Sequence, residues 1–422
     1  MQDIIVIGGG ASGMMAAGVA AEASASSVNV MLLEKNEKLG KKLHITGKGR
    51  CNITNNTDTM GLLQHVVTNP KFLQSAFHAM DSNTLMEFFE SRGLSLKTER
   101  GNRVFPLSDN ASDVTKTLDK YMYNNGVKVK LNCAVTRIDS KYGIFYVHTK
   151  EECYKTRAVV IATGGLSYPA TGSTGDGYTF ANKLSHTILQ TYPSLVPLIV
   201  KEHWVGDLEG LSLRNVHCAV KLAGKTLYEE TGEMLFTRNG VTGPIILRAS
   251  AMLTDKLINK ADNIVKTPAI VNIDLKPALT TEQLDSRILR DFAENKNRNF
   301  GNVLNELLPK RMIDTIISLT DIPADKKVHD ITRAQRQVLI STLKGLLLTV
   351  IKTAGYKEAV ITKGGVNVRE INPSTLMSKK VAGLFFAGEV MDVDALTGGY
   401  NLQIAFSTGY LVGNSVVKFL GN

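Results

Sequence analysis

Cysteine is scarce in this chain: Cys51, Cys133, Cys153 and Cys218 are scattered through 422 residues, and no two form a C-x-x-C pair. That spacing points away from a zinc site and from a vicinal dithiol redox centre. A disulfide framework is not expected at this density. No apolar run reaches the roughly 18 residues that a membrane-spanning helix needs. No basic n-region, apolar h-region or small-residue cleavage site precedes the strand-like IIVIGGG, so the cytoplasm is the expected address. Internal repeats and low-complexity tracts are also missing. What is present in excess is positive charge, a formal +10 in a chain whose hydrophobic content is an ordinary 43%. Such a balance fits nucleic acid, an anionic cofactor or plain solubility. Its densest stretch is Lys35, Lys38, Lys41, Lys42, Lys48 and Arg50, where a dinucleotide alone would account for it.

The length exceeds what one hydrophobic core supports and predicts two or three domains. Residues 3–8 (DIIVIG) are a short apolar run ending in glycine, the pattern of a parallel strand buried on both faces. Met14 to Glu22 reads as the following helix. Asn29 to Leu33 is a second buried strand with Glu34 at its end. Helical patterns follow near 70–92 and 111–125, and strand patterns near 127–138, 143–149 and 156–162. From about Thr191 the character changes: VHCAVKLAGKTLYEE reads as a hairpin turning near Ala223-Gly224, a strand covers 269–275, and 280–350 looks almost wholly helical. LFFAGE at 384–389 repeats the strand-then-glycine signature of the N-terminus. The expected fold is α/β: a discontinuous Rossmann-like dinucleotide domain (1–190 and 355–422), a β-rich insert (191–275) and a helical insert (276–354).

Gly8-Gly9-Gly10-Ala11-Ser12-Gly13 fits G-x-G-x-x-G, and each motif glycine has a mechanical task. Gly8 permits the strand-to-helix turn, Gly10 lets backbone approach a pyrophosphate, and Gly13 lets helix and strand pack closely. Glu34, 21 positions after Gly13, is placed to accept hydrogen bonds from an adenosine ribose. FAD and NAD share this fingerprint, and the C-terminus separates them. Glu389 at a strand end and a polar helix start near Asn401 meet the needs of a ribityl chain and of a flavin edge that becomes negative on reduction. FAD is therefore the expected cofactor. GSTGDG at 172–177 follows a loop rather than a strand, so no second Rossmann unit for a nicotinamide is expected. NAD(P)H is then expected to dock transiently as electron donor.

Six ordered stretches resemble the HI0933-like flavoprotein family, within the wider group related to fumarate reductase flavoprotein subunits. They are 4–17 (IIVIGGGASGMMAA), 41–55 (KKLHITGKGRCNITN), 103–114, 162–178, 232–250 and 364–409. The resemblance implies non-covalent FAD and a three-part architecture of FAD, β-rich and helical domains. It implies adenosine and phosphate contacts at Gly8, Gly10, Ala11, Ser12, Gly13, Glu34 and Lys35. Flavin contacts are implied at Gly47, Gly49, Arg50, Cys51 and Asn52, and closing contacts at Gly388, Glu389, Gly399, Asn401 and Leu402. His44 departs from the more usual aliphatic residue and is read as a packing or surface residue. Proteins similar to this one reduce a conjugated C=C in steroid-like acids, oxidise a small amine, or form dihydrouridine in ribosomal RNA.

The expected chemistry is hydride transfer from flavin to an electron-poor C=C, in a small-molecule enone or a ribosomal RNA uridine. Arg50 is the candidate to bind or polarise substrate, and Cys51 or Tyr400 to supply the proton. The rivals are an amine oxidase using O2 and a non-catalytic flavoprotein that binds RNA. Lys310, Arg311, Lys326, Lys327, Arg333 and Arg336 favour RNA if they share a face. Asp392 and Asp394 have no histidine close in sequence, and no metal site is expected there.

Overall fold

In the computed structural model, which describes residues 1–25, 27–257 and 264–421, the first apolar run forms β1 (Gln2–Ile7) inside a seven-stranded sheet. Its parallel part runs Lys128–Lys130, β2 (Val30–Leu33), β1, Cys153–Ile161 and Leu384–Phe386. Ile4, Ile5 and Val6 are fully buried, as a strand covered on both faces requires. The long strand Cys153–Ile161 divides its partners along its length. Val159 to Ile161 pair with the C-terminal strand, whereas Cys153 to Thr156 pair antiparallel with Ile144–Thr149. The antiparallel edge of the same sheet is the pair of outer strands Ile144–Thr149 and Val135–Lys141.

Helix α1 (Ala11–Ala23) is rich in alanine, and two glycines of the C-terminal helix Tyr400–Gly421 let that helix lie close against it. A Cβ at Gly409 would stand 2.5 Å from the Ser12 carbonyl oxygen, and one at Gly413 would stand 2.7 Å from Val19 Cβ. The last element of the chain is thereby locked to the first helix.

The chain divides into two units, Met1–Ser194 with Tyr356–Asn422, and Leu195–Gly355. The second unit is built on a closed six-stranded antiparallel barrel. Its longest hairpin, Ser212–Leu222 with Lys225–Thr237, turns at Ala223 and Gly224, both with positive φ as a tight two-residue turn requires. Helices Thr281–Glu294 and Arg333–Lys344 open on reciprocal capping boxes, Thr280 with Gln283 and Thr332 with Gln335. The expected helical insert, 276–354, overran its end. Leu346–Thr353 is a barrel strand, paired on one side with Ile264–Asp274 and on the other with Leu198–Val200. LLLTVIKT is apolar enough to be mistaken for a helix. Gly345 stops the helix, and the alternation of buried Leu346, Leu348 and Val350 has the period of a strand.

Candidate functional site

The glycine turn between β1 and α1 shows two different reasons for glycine. Gly8 has φ +106°, and a Cβ there would lie 2.5 Å from the Ala162 carbonyl oxygen. A Cβ at Gly13 would lie 1.9 Å from the Gly8 oxygen. Protein packing therefore demands both. Gly10 is different: a Cβ there would meet nothing within 4 Å. Nothing in the protein forbids a side chain at Gly10, and the open space in front of it is a cradle of the kind a pyrophosphate needs. Gly10 also caps α1, which has no side-chain cap and no acidic residue in its first turn. The N–H groups of Ala11, Ser12 and Gly13 thus face outward with the positive end of the helix dipole.

Glu34 is buried at the end of β2, and its carboxylate is already organised. Oε2 accepts from Gly9 N–H at 2.6 Å, and Oε1 from the Asn36 backbone N–H at 2.8 Å and its amide at 2.6 Å. Glu34 therefore shapes the turn that it was expected to serve. Lys35 reaches Asp176 at 2.6 Å and also bonds Thr174. Lys42 pairs with Glu389 at 2.6 Å, while the other Glu389 oxygen accepts from Ser167 Oγ and Thr362 N–H. Gly388 (φ +75°) has no room for a side chain, since a Cβ would come within 2.5 Å of Ser12 Oγ. The segment from Gly40 onward is tied to the turn, Gly40 N–H donating to Gly9 O at 2.8 Å.

That segment continues into a strained loop. Gly47, Lys48, Gly49 and Cys51 all have positive φ, between +57° and +85°. Arg50, the candidate substrate cation, is committed within the protein. Its Nη1 donates to Glu99 at 2.8 Å and to Asp109 at 3.1 Å, Nη2 donates to Glu99, and the guanidinium lies 4.0 Å over the Phe105 ring. These bonds raise its pKa further and depress that of Glu99. Cys51 is fully buried, and burial pushes its thiol up to about 12. Asn52 Oδ1 is buried and makes no hydrogen bond within the protein.

Gly398 and Gly399 (φ +132° and +101°) lead into the C-terminal helix, and a Cβ at Gly399 would lie 2.3 Å from the Thr54 carbonyl oxygen. Tyr400 is nearly buried. Its ring stacks on His65 with centroids 4.2 Å apart and planes 9° from parallel. The Asn401 side chain accepts from Ala395 N–H at 2.9 Å and donates to Ala395 O at 2.7 Å, so it fixes the preceding loop. Leu402 packs partly buried against the core. Four residues that the sequence did not single out complete this region: His65, Thr54, Asn55 and Gln403. Thr54 donates to Gln403, and Asn55 donates to the carbonyl oxygens of Gly101 and Gly398. Thr54 and Asn55 close the 41–55 stretch, one residue beyond TGKGRCN, which was the available signal. His65 belongs to no motif.

The remaining candidates have plain surroundings. Asp392 accepts from Asn69 and Asp394 from Ser194, and burial raises both carboxyl pKa values, Asp394 to about 6. His44 is half-buried, and burial lowers its imidazole pKa. Of the six basic insert residues, four are engaged. Arg336 pairs with Asp285, Arg311 donates to the carbonyl oxygens of Asp207 and Glu209, Lys326 to Gln335 and Lys327 to Asn299. Among the described residues, no helix is long and apolar enough to cross a membrane.

The family described as HI0933-like protein Rossmann domain matches residues 2–415. The chain is 31% identical to a 3-dehydro-bile acid delta(4,6)-reductase of Clostridium scindens, over 99% of this chain and 100% of the relative. It is 29% identical to a ribosomal RNA dihydrouridine synthase of Escherichia coli, over 98% of each. A solved 3-ketosteroid-delta4-(5alpha)-dehydrogenase from Rhodococcus jostii matches 99% of this chain and 96% of its own, with a TM-score of 0.52 and 14% identity. At that identity the likeness is one of fold.

Proposed function

This chain belongs to the HI0933-like family, and on that basis we propose that it is an FAD-dependent reductase of an electron-poor C=C in a small-molecule enone. The observation that carries the dinucleotide is Gly10, whose open cradle faces an uncapped helix N-terminus beside a strand-end glutamate. Ala11 to Gly13 would hold the pyrophosphate, Glu34 the ribose hydroxyls, and the unsatisfied Asn52 Oδ1 a hydrogen-bond donor of the cofactor. Bound FAD supplies a hydride to the acceptor carbon, and NAD(P)H is the proposed source of the electrons.

The chain's own residues then divide the remaining work. Hydride addition to a conjugated C=C leaves charge on the remote atom, and a proton must follow. We assign that proton to the Tyr400 hydroxyl, because the ring is held at the head of the C-terminal helix by His65 and the glycines before it. Cys51 is withdrawn from this role, since a fully buried thiol with a pKa of about 12 is neither accessible nor acidic enough. Arg50 is assigned to positioning, holding the loop against Glu99 and Asp109.

A uridine in ribosomal RNA is the second reading, favoured by the +10 charge and by the 29% identical relative. Rapid-mixing spectroscopy of anaerobically reduced holoenzyme separates the readings. Fast flavin reoxidation by a conjugated enone is expected. Reoxidation by a uridine-containing RNA fragment alone would move the substrate to RNA. Reoxidation by O2 alone would point to an oxidase.

A further inference from the structure

We infer that GSTGDG, residues 172–177, is a strap that closes the adenosine end of the dinucleotide site and sets how long the cofactor stays bound. The inference goes beyond the reductase reading and rests only on its cofactor. The sequence left this motif without a task, because it follows a loop rather than a strand. In the fold it is fastened on both sides of the glycine turn. β2, β1 and Cys153–Ile161 lie side by side in that order and run parallel, so their C-terminal ends share one edge of the sheet. Ligands of open α/β sheets bind outside that edge. On the Cys153–Ile161 side, Ser173 packs against Gly164, where a Cβ would come within 3.0 Å of Ser173 Oγ. On the β2 side, the motif and Thr171 before it meet Lys35 and Asn36. The strap thus spans the end of β1, where the glycine turn begins.

The fastening on the β2 side uses both residues after Glu34. Lys35 Nζ donates to Asp176 Oδ2 at 2.6 Å and to Thr174 Oγ1. Both side chains of this ion pair are part-exposed, so opening it uncovers no deeply buried charge. The Asn36 amide nitrogen donates to Glu34 Oε1 at 2.6 Å and to the Thr171 carbonyl oxygen at 3.1 Å. Its two protons thereby join the carboxylate proposed to hold the ribose to the strap itself. Gly172 permits that approach: it has φ +104°, and a Cβ there would lie 2.6 Å from the Asn36 amide nitrogen. Lys35 is engaged by the strap rather than offered to phosphate. The two roles differ in sign. A lysine serving the phosphates would be freed by removal of Asp176, and the cofactor would bind more tightly. A lysine fastening the strap loses its hold in the same variant, and the cofactor leaves sooner.

The test is FAD release from holoenzyme, followed by the rise in flavin fluorescence after dilution. Hydrogen exchange of the peptide that contains the strap is measured on the same samples. Asp176→Asn and Lys35→Met should each speed release by up to about fivefold, the upper range for a part-exposed ion pair. The double variant should release FAD no faster than either single one, because the same contact is lost. Exchange in the strap should quicken in parallel. Slower release from Asp176→Asn overturns the inference and returns Lys35 to the phosphates. Unchanged release from both single variants, or effects that add in the double variant, overturns it as well. So does faster release with the strap exchanging as in wild type, since the ion pair would then act without opening it. Wild-type protein that takes up no FAD would sink the cofactor reading and this inference with it. Uptake of FAD with no response to the variants sinks the strap alone.

Discussion

Cys51 and Cys153 sit at opposite extremes of exposure, and their chemistry should differ accordingly. Burial holds the Cys51 thiol near 12, so at pH 8 almost none of it is thiolate, whereas Cys153 is exposed. Iodoacetamide at pH 8 should label Cys153 and spare Cys51 in native protein, with both labelled after denaturation, as peptide mass spectrometry can read. Labelling of native Cys51 would return it to the list of proton donors. Asp394 gives a signed pH dependence. Burial raises its carboxyl to about 6, against about 3.9 in an unfolded chain. Between those values the folded state binds the extra proton, so stability falls as pH rises from about 4 to 6, and the penalty is complete above that. The difference in Tm between Asp394→Asn and wild type should therefore grow from pH 4 to pH 7, in the variant's favour. A pH-independent difference would mean that Asp394 keeps an ordinary pKa. Neither property was legible in sequence, because burial comes from residues distant along the chain. The tasks of Gly8 and Gly13 were legible, since a tight turn and a close crossing are local consequences of the motif. The partners of Arg50 were not, since Glu99 and Asp109 lie on a separate hairpin and the loop after it.

At the scale of elements, the close crossing of α1 and the C-terminal helix lies directly behind the turn proposed to hold the pyrophosphate. Gly409 packs against Ser12, one of the residues proposed above to hold the pyrophosphate. Gly409→Val should push the helices apart, with a cost of about 1–3 kcal/mol typical of overpacking. It should weaken FAD binding and lower Tm together, measured by flavin release and by thermal melting of the same sample. Normal FAD affinity with a reduced Tm would show that the crossing supports the fold without shaping the cradle. Sequence patterning found β1, α1, β2 and the strand Leu384–Phe386, because buried parallel strands are short unbroken apolar runs. It failed at Leu346–Thr353 for the same reason: a short apolar run carries little periodicity, and the helices before it biased the reading. The stop at Gly345 was the stronger signal.

For the whole molecule, the open question at the sequence level was whether +10 of charge makes an RNA-binding surface. Of the six basic residues considered in the insert, Lys310 and Arg333 are exposed and have no hydrogen bond or ion pair among the described residues, while the other four hold side chains or carbonyls of their own unit. Filter binding of a ribosomal RNA fragment should accordingly be weak at physiological salt and change little in a Lys310→Glu, Arg333→Glu double variant. Tight binding with a steep salt dependence, lost in that variant, would favour the RNA substrate. The order in which the parts of the site leave the ribosome has a further consequence. The turn proposed to hold the pyrophosphate is translated long before the strand Leu384–Phe386 and the helix Tyr400–Gly421 that complete its sheet and brace α1. At ordinary elongation rates that interval is on the order of tens of seconds. If both elements are needed to hold the cofactor, a nascent chain stalled before Leu384 should emerge colourless.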